Sequence, residues 1–126
     1  MEKNYLLNAI IGDAAKIIMS RYYPTYDWNI LLDERRTDYE FDETCQGSVP
    51  QSIQCVLEAE DYEDAIKIAI SMGGDADTMA CIAGSIAGVI WKKPDYLVDW
   101  VRKLMTSDML EVIDKLDKFV NGISSI

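Results

Sequence analysis

The chain has 126 residues, which suits one domain, and 49% of them are apolar, enough for a core and too many for a disordered chain. Its net charge is −10, with 12 Lys and Arg against 22 Asp and Glu, so it lacks the basic face that nucleic-acid phosphates require. There is no histidine, which removes imidazole bases, His-bound zinc and Ser-His triads together.

The most apolar stretch, Met79 to Trp91, is too short and too rich in Gly and Ala to span a membrane. The N-terminus reads as an amphipathic helix without a cleavage site of signal-peptide type, so a cytoplasmic location is expected. Cys45, Cys55 and Cys81 are odd in number and none are paired as CxxC. They fit neither a disulfide framework nor a zinc ribbon and are expected to be reduced thiols.

In chain order, Leu6, Leu7, Ile10, Ile11, Ala14, Ile17 and Ile18 recur at helical spacing and predict an amphipathic helix over residues 4–22, ended by Pro24. Residues 24–48 are polar, aromatic and irregular, with a turn or two of helix near Trp28 to Glu34. Tyr23, Tyr26, Trp28, Tyr39 and Phe41 predict an ordered loop packed on the body, and core packing is favoured over base stacking for Trp28, Tyr39 and Phe41. Ser48 is the expected N-cap of the next helix, with Pro50 in its first turn and Val49, Ile53, Val56 and Leu57 on one face. Asp61 is the expected cap of a further helix, with Asp64 in a capping-box role, a buried face of Tyr62, Ala65, Ile66, Ala69 and Ile70, and Gly73 at its end. The helix over about 76–91 is apolar on nearly every face, which predicts a central position, and its small residues permit close neighbours. Pro94 suits the start of a helix through Leu97, Trp100, Val101 and Leu104. Ser107 is the expected cap of the last helix, with a stripe of Met109, Val112, Ile113, Leu116, Phe119 and Val120. No segment alternates as a strand does. The reading is all-α, a compact orthogonal bundle in a single domain over residues 1–126 with one long ordered loop.

Between the fourth and fifth of these segments stands "GGDADT", residues 73–78. Asp75 and Asp77 can serve simply as acidic groups at a helix start, where unpaired N–H groups and the helix dipole favour them. The same placement also lets Asp75, Asp77 and Thr78 direct three oxygens to one point. Carboxylate and hydroxyl oxygens suit Mg²⁺, Mn²⁺ or Ca²⁺. An EF-hand loop counted from Asp75 fails at Met79 and Ile86, and a phosphate-binding P-loop fails for want of Gly-Lys-Thr. Three ligands are too few for a site built by this chain alone.

The run "CQGSVPQSIQCVLEAEDYEDAIKIAISMGGDADTMACIAGSIAGVIW" closely resembles the C-terminal part of the ADP-ribosylglycohydrolase family, and "LDERRTDYEFDETCQGSVP" before it is similar as well. The resemblance runs from about residue 22 to 120. It implies an all-helical domain, a pair of Mg²⁺ ions (or Mn²⁺) and cleavage of ADP-ribose from a modified acceptor. It makes Asp75, Asp77 and Thr78 metal ligands. Gly74, with Gln46, Gly47 and Ser48 of the preceding turn, would face the substrate, although Gly47 and Ser48 can equally serve only the turn and the cap. The family's other ligands, a Thr/Ser-Asp-Asp-Thr cluster and a Gly-Asp-x-x-Gly motif with a following Glu, have no counterpart here. Gly12-Asp13 is followed by Ala14, Ala15 and Lys16 and is read as coincidence. Smaller departures are Arg36-Thr37 in place of Arg-Pro, and Ala76 where Ser or Thr is frequent. The expected protein is therefore half of such a site, inactive alone, acting on ADP-ribose or ADP-ribosylated substrates once another chain completes it. The alternative is a non-catalytic helical interaction module. A homo-oligomer is expected, formed through the first helix, with neither nucleic acid nor membrane as partner.

Overall fold

The computed structural model describes the backbone of residues 2–124 and the side chains of residues 12–122. Seven helices and no strand occur among the described residues: α1 (Glu2–Tyr22), α2 (Leu32–Arg35), α3 (Cys45–Glu58), α4 (Tyr62–Ser71), α5 (Ala76–Ile90), α6 (Asp95–Leu104) and α7 (Ser107–Ser124). None is long and apolar enough to cross a membrane. The all-α expectation holds. The chain divides into two compact units, Met1–Lys92 and Lys93–Ile126.

In the first unit α5 packs most extensively on α4 and next on α3. Met79, Ala83 and Ala87 recur every four residues along α5 and are fully buried, meeting Ala65 and Ala69 of α4, Cys55 and Val56 of α3, Leu32 and Met72. Alanine on facing turns brings the helix axes close, so the core is narrow and built from small side chains. The opposite face of α5, at Cys81, Ser85 and Val89, is exposed, so this helix is not enclosed on every side as its composition suggested.

The start of α3 also differs from expectation. Thr44, not Ser48, is the N-cap, its Oγ1 accepting from Gly47 N at 3.2 Å. Ser48 lies one turn inside and donates its hydroxyl to Thr44 O at 2.7 Å. Pro50 therefore falls in the second turn. There it forgoes the bond to the carbonyl of Gln46. The side chains most deeply buried on α3 are Pro50, Ser52, Gln54 and Cys55, and of the apolar face foreseen Val56 is buried while Val49, Ile53 and Leu57 are only half-buried. Gln54 explains why the long loop is ordered. Its Nε2 donates to Ile30 O at 2.7 Å and to Glu58 Oε1 at 2.6 Å, and its Oε1 accepts from the Tyr26 hydroxyl. The Glu58 carboxylate accepts in turn from Leu32 N at 3.3 Å. Arg35 stacks its guanidinium 3.9 Å above the Tyr26 ring, which meets Trp28 edge to face at 4.7 Å. Trp28 is buried as expected, whereas Phe41 is exposed and belongs to no core.

Asp61 caps α4 by accepting from Asp64 N at 2.8 Å, and Asp64 reaches back to Glu60 N at 3.0 Å, the reciprocal arrangement foreseen. Ile70 is exposed and Met72 takes the buried place at the end of that helix. On α1, Ile17 and Ile18 are exposed. Ala14 is exposed too, and the rest of the apolar face expected there, Leu6 to Ile11, lies outside the described side chains.

In the second unit Pro94 stands at the N-cap of α6. Ser107 is the first residue of α7 and Thr106 precedes it, its carbonyl accepting from Leu110 N at 3.0 Å, so the cap falls one residue earlier than expected. Arg102 of α6 reaches Asp114 of α7 at 2.7 Å.

Candidate functional site: the turn into helix α5

The turn between α4 and α5 is short because Gly73 takes φ +81°, a left-handed conformation that closes α4 at glycine's small cost. Ala76 N then bonds Gly74 O at 2.8 Å, and Met79 N bonds Asp75 O at 2.9 Å, which starts α5. Asp75 is thus the N-cap residue by backbone, but its side chain makes no cap hydrogen bond. The carboxylate is turned aside from the duty its position would ordinarily give it.

Asp77, in the first turn, accepts from Thr78 N at 2.9 Å. Its carboxyl is held below the usual carboxylate range by a hydrogen bond shared with the Asp75 carboxyl, then by the N–H groups of Thr78 and of Asp77 itself. Two carboxyl groups therefore meet at the mouth of α5, with Asp77 and Thr78 exposed and Asp75 half-buried. Among the described residues no three Cys, Asp or Glu side chains converge closely enough to hold a metal ion. The oxygens suit Mg²⁺ in kind and fall short in number.

The turn is fixed from below by Tyr39. A Cβ added at Gly74 would lie 2.3 Å from Tyr39 Cε1, so only glycine lets the ring sit against this backbone. The Tyr39 hydroxyl donates to Gly47 O at 2.6 Å and lies 3.2 Å from Met79 Sδ. One side chain thereby ties the start of α5 to the start of α3. Burial, then the nearby Asp42 and Asp75 carboxylates, push the Tyr39 phenol above its usual value. Asp42 lies over Gly47, where a Cβ would fall 2.1 Å from its Cγ. Its carboxyl is held low by the Thr44 hydroxyl and by Thr44 N, which donates to it at 2.8 Å.

Of the residues singled out from the sequence, Asp75, Asp77 and Thr78 stand together at the mouth of α5. Gly74 and Gly47 lie on either side of Tyr39. Ser48 is buried with its hydroxyl engaged, and Gln46 is exposed. Asp42 was not singled out, and Tyr39 was read only as core or base-stacking. The "DYEFD" run, residues 38–42, carries no spacing signal for Tyr39, whose partners Gly47, Gly74 and Met79 lie elsewhere in the chain.

A family model described as ADP-ribosylglycohydrolase matches residues 7–123. The match takes in most of α1, beyond the limit of about residue 22 read from the motifs. No curated protein and no solved structure matches the chain.

Proposed function

The chain belongs to the ADP-ribosylglycohydrolase family, and from that premise we propose that it carries one half of a Mg²⁺-dependent site for releasing ADP-ribose from modified acceptors. The observation that carries the reading is the paired Asp75 and Asp77 carboxyls, with Asp75 free of capping duty. Two such groups in contact repel when both are ionised, and a bound cation turns that repulsion into attraction. Asp75, Asp77 and Thr78 would hold Mg²⁺ or Mn²⁺ through oxygen. Such an ion, when bound, supplies positive charge and an ordered water to the breaking glycosidic bond. The space that glycine leaves at Gly74 is filled by the Tyr39 ring, so its part in the site is to hold the turn. Gln46 is exposed near the start of α3 and is the remaining polar candidate for substrate contact, whereas Ser48 is already engaged.

Three donors are too few for an ion that gives up water reluctantly. We therefore propose that the missing carboxylates come from another polypeptide and that the chain alone does not turn over. The alternative is a non-catalytic helical interaction module. Calorimetric titration with Mg²⁺, then ADP-ribose, tests the first reading. The expected result is weak Mg²⁺ binding that Asp75→Asn and Asp77→Asn abolish. No ADP-ribose should be released from modified arginine or serine peptides. Mg²⁺ binding unaffected by both substitutions overturns the ligand assignment. Turnover by the lone chain, lost in Asp77→Ala, overturns the half-site.

A further inference from the structure

We propose that the α6–α7 unit is the face on which a second copy of this chain docks, α7 against α7. This inference does not depend on the metal reading. Neither helix has a buried residue among those described. Yet Met109, Val112, Leu116 and Phe119 follow one another at spacings of three, four and three along α7, the pattern of a helix–helix seam. All four side chains are between 56% and 66% exposed. A unit of this size does not build a core of its own, and its apolar stripe calls for a covering surface.

Charge argues that this surface is another copy. Residues 93–126 carry five Lys and Arg against six Asp and Glu, a balance of −1, which leaves −9 on residues 1–92. Two copies repel wherever their acidic portions meet, and the α6–α7 unit is where that repulsion is least. Its charges are also mixed in sign: Glu111 pairs with Lys115 at 2.6 Å and Arg102 with Asp114 at 2.7 Å. A surface that carries both signs avoids the like-charge repulsion that an acidic face would meet across a twofold axis. On α1 the described side chains offer the adjacent Ile17 and Ile18 and the exposed Tyr22, a smaller patch than this one.

Sedimentation equilibrium at tens of micromolar tests the proposal, with helicity checked by circular dichroism. The wild-type chain should be a dimer. Phe119→Glu and Leu116→Glu should each weaken it at least ~10-fold, as loss of a central apolar anchor does. Ile17→Glu should leave it intact. A variant carrying Leu116→Cys, oxidised and peptide-mapped, should give a 116–116 disulfide between chains, with the exposed Cys45 and Cys81 of the same chain as internal controls. A monomeric wild-type chain overturns the proposal. Dissociation by Ile17→Glu with the α7 variants still dimeric overturns it in favour of α1. A crosslink through Cys81 in place of residue 116 also counts against it.

Discussion

Gly74→Ala is the substitution whose cost follows most directly from the geometry. The new Cβ would sit 2.3 Å from Tyr39 Cε1 and 2.9 Å from both Cζ and the hydroxyl oxygen. The ring cannot simply swing away, because its hydroxyl is bonded to Gly47 O at 2.6 Å and α5 lies beyond it at Met79. Overpacking of this kind costs ~1–3 kcal/mol. If the ring yields, the Gly47 bond is lost, a further ~1 kcal/mol. Stiffening the unfolded chain returns about 0.4–1 kcal/mol. The expected net loss is about 2–3 kcal/mol, read from urea denaturation by far-ultraviolet circular dichroism at one fixed protein concentration, since self-association would otherwise shift the midpoint. The cause is isolated by repeating the substitution in a Tyr39→Ala background, where the clash has no partner. There Gly74→Ala should be close to neutral, giving a coupling of about 2 kcal/mol between residues 39 and 74. A loss under ~0.5 kcal/mol in the wild-type background, inside the range of an ordinary surface change, would refute the reasoning. So would an equal loss in both backgrounds.

The two aspartates at helix starts should behave differently: Asp61→Ala loses a working cap and should cost ~1 kcal/mol, whereas Asp75→Ala loses none and should stay within ~0.5 kcal/mol of wild type in the same melts. Gln54→Leu should cost about 1–3 kcal/mol by leaving the Ile30 carbonyl and the Tyr26 hydroxyl without their partner, and limited proteolysis should then cut within residues 24–44. Cys45 and Cys81 are exposed and Cys55 is buried, so a thiol reagent should modify two groups in the native chain and the third only on unfolding. Burial pushes the Cys55 thiol up to about 12 from an ordinary 9.0, so the folded chain keeps a proton that the unfolded chain releases. Stability should therefore fall as pH rises from about 9 to 12, and Cys55→Ala should flatten that slope in pH-dependent urea melts.

The parts legible in the sequence were those written in local spacing. Helical periodicity placed α1, α4 and α5 to within a residue or two, the Asp61–Asp64 pair declared its own cap, and Gly73 declared the end of α4. Where a residue had two local uses the reading erred. Pro50 suggested a helix start just before it, yet the helix begins at Cys45 and holds Pro50 in its second turn. Ser48 looked like a cap and instead bonds back to Thr44. Hydrophobicity misjudged α3 for a related reason. Gln54 and Ser52 are buried because their polar atoms are satisfied, by Ile30 O, Glu58 and Tyr26 in one case and by Ser48 O in the other. No scale of single residues contains that information. The site divides in the same way. Asp75, Asp77 and Thr78 are neighbours in sequence and were found from it. Tyr39 and Asp42 lie more than 30 residues from Asp75 and reach its vicinity only because α3 and α5 pack with their N-termini near each other. That packing rests on the alanine faces of the core, so the small residues that gave the sequence its family resemblance also bring the distant Tyr39 beneath Gly74. A Cβ at Gly74 would undo that contact while leaving every local signal in the motif unchanged.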